Sequence, residues 1–509
     1  MYSLEPIDKA FRETCKILFK AEVGGLLEFE PYLKECIFPY SVVELENNQK
    51  VMLGSPYYRG KVASAQDMSW EEPKFSVNQI KDIDSLFEAA KEIAIYCGNK
   101  AFGKNHNIHL LDNAKDCIDV YFAHNATNVK KGAYLSCIRN SEYVFGIPAF
   151  AKIKHSIRCV EGMNANRMFE SHYISNCSDM YYCINCHGCS EIIFGFNLRN
   201  KRYCIGNLGL GKEKYFELKT KLISEIAEIL GKRKRIFSLG EILKQNASEE
   251  NPDFIPTQPP PPSVQKAFAK ATEIVLKVKR EDIVPFVSYL QSKTLPVQKA
   301  SGRFKSKTYR PFLPVVKDIP FACLCTNQEA QTQDKPLIEG ESDFRLQSLV
   351  AQIAKNASTT LEMREGDCKE VYETSQVISS NECWSAWDFT FSSRCACSTG
   401  VGNCEYVFGG GNIRILESKF CINCYNSINL QRCFEADSCV DCSDCYFCHN
   451  LEGCQECILC FNLKGKRYAV LNQELKKEQY YKIKKMLLDY INSELDKKKF
   501  ISRSIFEIG

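Results

Sequence analysis

The chain has 509 residues, 45% hydrophobic and 25% charged, with a formal net charge of +4. That length exceeds one ordinary core, so two or more domains are expected, and so small a charge excess falls short of the basic footprint of a dedicated nucleic-acid binder. The start, MYSLEPIDKAFRETCK, has charges where a signal peptide needs an apolar core, and no apolar run reaches the length of a membrane span. The expectation is a cytoplasmic, soluble protein with neither membrane nor nucleic acid as partner. Of its 28 Cys, eleven lie in the first half and seventeen in the second. In a large chain without a signal peptide, free thiols or metal ligands are expected before disulfides, intracellular proteins of hyperthermophiles being the exception.

In chain order the elements come twice. An amphipathic helix with Ala10, Phe11, Ile17 and Leu18 at helical spacing returns with Ala267, Phe268, Ile274 and Val275. A short helix over Gly25 to Cys36 returns over Asp282 to Lys293, and a less regular stretch, 40–80, returns at 297–340. A helix near Ser85–Tyr96 is echoed at Leu346–Lys355, and polar helices close the halves at Lys212–Leu230 and Lys476–Leu495. The offset between matching residues drifts only from 257 to 265, the signature of a tandem duplication. The fold class expected is α+β. Its parts are a helical and mixed head at 1–105, a β-solenoid at 106–207 and a capping helix at 208–244. A Pro-rich linker at 245–263 leads to a second head at 264–374, a second β-solenoid at 375–472 and a second capping helix at 473–509. The run Pro259–Pro262 favours an extended polyproline spacer.

Inside each half a shorter period runs. Frames of twelve begin at Asn164, Asn176, Gly188 and Asn200, and again at Asn429, Asp441, Gly453 and Gly465. Asn, Asp and Gly tolerate the left-handed backbone of a tight corner, so the pattern predicts one corner per coil of a stacked β-solenoid. Coils would lie about 4.8 Å apart. Residues twelve apart then form ladders: Cys442 under Cys454, Cys445 under Cys457, Cys448 under Cys460.

Two readings of these thiols compete. Cys442, Cys445, Cys448, Cys454, Cys457 and Cys460 have spacings that suit tetrahedral zinc–sulfur sites, and Cys183, Cys186, His187 and Cys189 form the best local zinc candidate. Alternatively Cys packs as a small hydrophobe in a narrow core. The duplication favours the core: Cys433, Cys445 and Cys457 correspond to Met168, Met180 and Ile192, and Cys186-His187 to Leu451-Glu452. Arg167, Asp179 and Glu191 also stack, as do Arg432, Asp444 and Glu456. Carboxylates about 5 Å apart can form a retaining glycosidase pair, whereas the plainer reading is an outward salt-bridged column. Asn185 over Asn197, and Asn450 over Asn462, read as amide ladders.

No Walker-type loop, dinucleotide glycine pattern or His-Glu-x-x-His is present. Gly409-Gly410-Gly411 reads as a turn or bulge, Lys232–Arg235 and Lys497–Lys499 as helix-end charges, and Trp70, Trp384 and Trp387 as packing residues. The closing motif FNLRNKRYCIGN, Phe196 to Asn207, returns as FNLKGKRYAVLN, Phe461 to Asn472. With the Asn/Cys-rich repeats before it and the Lys/Glu/Tyr helix after it, it resembles a group of uncharacterised Cys-rich repeat proteins of small-genome bacteria and archaea, some labelled CaiB/BaiF. The resemblance implies a fold type and no mechanism, and nothing in the residues supports coenzyme-A transferase chemistry.

With no catalytic constellation in view, the leading expectation is a non-enzymatic structural protein that self-assembles into a homo-oligomeric ring, shell or filament. The alternatives are a thiolate metal or redox scaffold, with zinc as the candidate metal, and a carbohydrate-binding or carbohydrate-active β-helix using Asp179 with Glu191 or Asp444 with Glu456.

Overall fold

The structure is a computed structural model that describes residues 2–38, 40–68, 80–245, 255–339, 344–416 and 418–509. Trp70 and part of the Pro-rich joint, 246–254, lie outside the described residues. Helices and strands are both present, as expected of an α+β chain, and the sheets of the two repeat regions are built mainly of parallel pairs. The chain forms two compact units. Unit 1 gathers Met1–Pro39, Ala101–Pro256 and Gln298–Met363; unit 2 gathers Tyr40–Lys100, Thr257–Val297 and Arg364–Gly509.

Unit 1 opens with the helix Glu5–Phe19. Ile7, Ala10, Phe11, Cys15 and Leu18 recur at helical spacing and are buried. This stripe faces the parallel sheet: Phe11 meets Phe145 edge-on at 5.1 Å, and Phe19 meets Phe169 at 4.9 Å. The Tyr181 hydroxyl donates to the Leu18 carbonyl at 2.8 Å, one of those a helix end leaves without an internal partner.

The sheet of unit 1 pairs residues twelve apart. Met168 lies beside Met180, Met180 beside Ile192, and Ile192 beside Cys204. Every third residue from Asn107 to Tyr203 has a positive φ, and the residue after it tends to be a core residue, as at Met168, Ile174, Cys177, Met180, Cys183 and Cys186. The corners expected at Asn164, Asn176, Gly188 and Asn200 all have positive φ, but so do Tyr173, Tyr182 and Phe194. Left-handed backbone costs an ordinary residue about 1–2 kcal/mol. The parallel ladder offsets this: the Tyr182 N–H donates to the Phe169 carbonyl at 3.0 Å, and the Phe194 N–H to the Tyr181 carbonyl at 2.9 Å. Residue type therefore marks only some of the bends. The sheet ends where Arg202–Ile205 turns back on Leu208–Gly209. There the Asn207 amide clamps the Phe196 backbone through two bonds of 2.9 Å, and the closing helix Lys212–Arg233 follows.

Unit 2 repeats this plan with the opening helix Pro262–Leu276 and the closing helix Lys477–Lys498. Tyr446 donates to the Val275 carbonyl at 2.8 Å, and Asn472 clamps Phe461. One irregularity distinguishes it. Val407 pairs with Cys421, but Ile415 pairs with Ser427, so the register shifts between Gly411 and Ile415. Gly410 and Gly411 have φ of 76° and 119°, and a Cβ on Gly411 would run into the Thr399 carbonyl. The glycine run makes the bulge possible.

The chain-order boundaries keep 1–105 and 264–374 whole, whereas the compact units divide both stretches. Tyr40–Lys100 belongs with the later repeat region: the Tyr58 hydroxyl donates to Asp437 at 2.6 Å, the Cys97 N–H to His449 Nε2 at 3.0 Å, and Asn462 Nδ2 to the Ile95 carbonyl at 2.8 Å. Gln298–Met363 belongs with the earlier one: the Leu337 N–H donates to the Gly206 carbonyl at 2.8 Å, and Asn197 Nδ2 to the Ser358 carbonyl at 2.9 Å. Asn197 corresponds to Asn462, and Ser358 to Ile95, so the two exchanges are reciprocal. Among the described residues no helix is long and apolar enough to cross a membrane.

Candidate functional site

The thiols come first, because the sequence offered them as ligands. Cys442, Cys445, Cys448, Cys454, Cys457 and Cys460 all lie in the buried core of unit 2, and Cys183, Cys186 and Cys189 in that of unit 1. His187 is only partly buried and is not a member of that core. Among the described residues, no three His, Cys, Asp or Glu side chains are grouped to hold a metal ion. The thiols have other work. Cys442 donates to the Val440 carbonyl at 3.2 Å, Cys448 to Tyr446 at 3.4 Å and Cys460 to Ile458 at 3.3 Å, each two residues back. Ser392 and Ser398 make the same bond at 3.0 Å from equivalent inward positions. The core thus accepts small side chains with one donor, and Cys adds apolar volume to that role.

Burial raises the Cys421, Cys433, Cys439 and Cys460 thiols well above their ordinary range. Cys442 is lowered instead, by hydrogen bonds from the Cys439, Cys445 and Cys454 thiols. Reactivity follows access as well as thiolate content. Only Cys137 and Cys368 are partly exposed. A chromogenic thiol reagent is therefore expected to consume these two quickly in native protein and the rest of the 28 only on unfolding. Rapid reaction of many thiols in native protein would show that the ladders are open to solvent.

The polar column is the better site. In unit 1, Arg167 grips Asp179 through Nε at 2.8 Å and Nη2 at 2.6 Å. Lys219, from the closing helix, reaches Glu191 at 2.6 Å and Asp179 at 3.9 Å. Burial pushes the Asp179 carboxyl up, but the Arg167 hydrogen bonds and the charges of Lys219 and Arg167 outweigh it, so its pKa lies below the ordinary value. These four side chains line a cleft of about 490 Å³, walled by Ile17 of the opening helix and Phe216 of the closing helix. A retaining glycosidase needs one carboxyl kept protonated as the acid. Asp179 is held ionised, and Glu191 is paired with a cation, so this pairing suits binding better than acid catalysis.

Unit 2 carries the same column with its outer carboxylate held by a tyrosine. Arg432 grips Asp444 at 2.6–3.2 Å, and the Tyr481 hydroxyl donates to Glu456 at 2.6 Å. Lys484, the counterpart of Lys219, is only 7% exposed. Its ammonium lies 5.0 Å from the Tyr446 ring centre, and burial lowers its pKa.

Two buried clusters escaped the sequence reading. In unit 1, Arg158 pairs with Glu170, which also accepts from the Tyr32 hydroxyl at 2.8 Å. His172 lies 3.9 Å from the same carboxylate and accepts from the Val160 N–H at 3.2 Å. In unit 2, Glu435 is satisfied by Tyr289, Asn423, Ser504 and the Ile505 N–H at 2.9–3.1 Å. Nearby, His449 Nδ1 meets Asp437 at 2.7 Å. That pair resembles a catalytic dyad, but the Cys97 N–H occupies Nε2 and both side chains are fully buried. The imidazole has no nitrogen left to activate a nucleophile, so the dyad is structural. The signal was in the sequence: Glu170 stands twelve after Arg158, and His449 twelve after Asp437.

Comparison with known proteins finds no matching family model, no matching curated protein and no matching solved structure.

Proposed function

We propose that the chain is a non-enzymatic structural protein, a tandem duplication of β-solenoid units that self-assembles into a larger homo-oligomer in the cytoplasm. In this reading it is a duplicated form of the Cys-rich repeat group that its closing motifs resemble. The carrying observation is the start of the unit 1 sheet. Its strands Ala101–Phe102 and His106–Asp112 are paired on one side only among the described residues. Phe102, in the first of these strands, is 45% exposed, and Ile118, in the neighbouring strand where it pairs with His106, is 37% exposed. A strand edge paired with a neighbouring strand on one side only, with apolar side chains near it, is a template for another chain, whereas the other end of the sheet is closed by a reversed strand. The commitment of the buried Glu435, Asp437 and His449 to internal bonds supports a rigid building block over a catalyst.

Light scattering across a concentration series is expected to give a discrete multiple of 58.0 kDa. The double variant Phe102→Lys, Ile118→Lys is expected to shift the particle toward the single chain. A parent particle of one chain at every concentration would defeat the proposal.

A further inference from the structure

The unit 1 cleft has the volume of a small-molecule site, about 490 Å³. Its charges cancel locally. Arg167 and Lys219 are already engaged by Asp179 and Glu191, so an anionic ligand must displace a carboxylate, and a cationic one must displace Arg167 or Lys219. A wholly apolar ligand would desolvate four ionised groups without replacing their hydrogen bonds to water. What remains on offer is neutral in sum and rich in hydrogen bonding. Arg167 uses Nε and Nη2 on Asp179 and keeps Nη1, with its side chain 43% exposed. The carboxylates retain lone pairs, and Lys219 retains N–H donors. The Phe216 ring, three residues before Lys219 on the closing helix, also lines the cleft, 38% exposed and braced by Tyr203 at 5.8 Å and Tyr215 at 5.4 Å.

We propose that this cleft binds a neutral polyhydroxylated ligand, a pyranose ring of a carbohydrate, with its hydroxyls on the Arg167–Asp179–Glu191–Lys219 column and its C–H face on Phe216. Such a ring both donates and accepts, carries no charge to upset the ion pairs, and has an apolar face for the aromatic wall. The duplication supplies a control. At the position of Phe216, unit 2 has Tyr481, whose hydroxyl occupies Glu456. The chain is therefore assigned one site, and Phe216→Tyr should close it by giving Glu191 the same internal donor. Tyr481 shows that this repeat accepts tyrosine at that position. The proposal does not depend on how the chain assembles.

The test is saturation-transfer NMR, then calorimetry, of full-length protein with the methyl glycosides of glucose, galactose, mannose and N-acetylglucosamine. Inorganic phosphate and octanoate serve as charged comparisons. The expected result is binding of at least one glycoside at one site per chain, little changed by added salt, lost in Phe216→Tyr and unchanged in Tyr481→Phe. Absence of glycoside binding, binding that survives Phe216→Tyr, or preference for phosphate or octanoate would overturn it.

Discussion

Cutting the chain at the Pro-rich joint is expected to leave its halves bound together. A protease site placed within 246–254 and then cleaved should give two bands on a denaturing gel and an undiminished native mass. The reason is that neither compact unit is made from one half. Unit 2 contains Tyr40–Lys100, and unit 1 contains Gln298–Met363. The first segment is held by Tyr58 on Asp437, Cys97 on His449 and Tyr96 on the Ile505 carbonyl at 2.6, 3.0 and 2.8 Å, all within buried surroundings. Pulling it out would strip Asp437 and His449 of these donors, and leaving one buried polar group unsatisfied costs about 1–3 kcal/mol. For the same reason a fragment spanning only 255–509 is expected to be insoluble or unfolded by itself. Fragments that part under native conditions, or a soluble cooperative 255–509 fragment, would show that each half completes its own unit.

Acidification is expected to destabilise the protein steeply, and His172→Gln should remove much of the effect. Burial, with the Arg158 charge second, pushes the His172 pKa from 6.5 down to about 3. The unfolded chain takes up the proton below about pH 6.5 while the folded chain refuses it. The stabilisation is therefore complete above pH 6.5 and is lost as pH falls toward 3. A gap of that size corresponds to about 5 kcal/mol at its limit. Glutamine keeps an acceptor for the Val160 N–H, which now bonds His172 at 3.2 Å. Glu170, raised by its own burial, works in the opposite direction and is common to both proteins. Denaturant unfolding of parent and variant between pH 7 and pH 4 separates them. Equal slopes of stability against pH would mean that His172 is solvated or unfolds locally before it titrates.

Much of the repeat architecture was legible because a twelve-residue period leaves little choice of neighbour. Asn185 does bond Asn197, and Asn450 does bond Asn462, at 2.9 Å in each case. Arg167 and Arg432 do grip the carboxylates twelve residues on, and the glycine run at 409–411 does sit at a register shift. The inward Cys positions were readable from their replacement by Met and Ile in the other half. What escaped had a physical cause in each case. Tyr182 and Phe194 hold left-handed backbone that their residue type disfavours, because ladder hydrogen bonds impose it. The cleft requires the closing helix to bring Lys219 and Phe216 to the column, and helix docking leaves no period in the sequence. The reciprocal exchange of Tyr40–Lys100 and Gln298–Met363 is invisible to any comparison of the halves, since the halves align with each other whichever repeat region each segment packs on.

That exchange also sets a timetable for synthesis. A ribosome adds about 5–20 residues per second. Residues 40–100 therefore emerge tens of seconds before Asp437, His449 and Asn462 exist to receive them, and the earlier repeat region waits for Gln298–Met363. During that interval the nascent chain carries unmatched apolar strands beside an incomplete core. Neither unit can finish before translation passes residue 363, and the later one waits for Ser504 and Ile505. A transcript cut short before residue 363 thus yields neither unit whole, whereas one cut between 363 and 504 holds every segment of unit 1 and leaves residues 40–100 without the rest of unit 2.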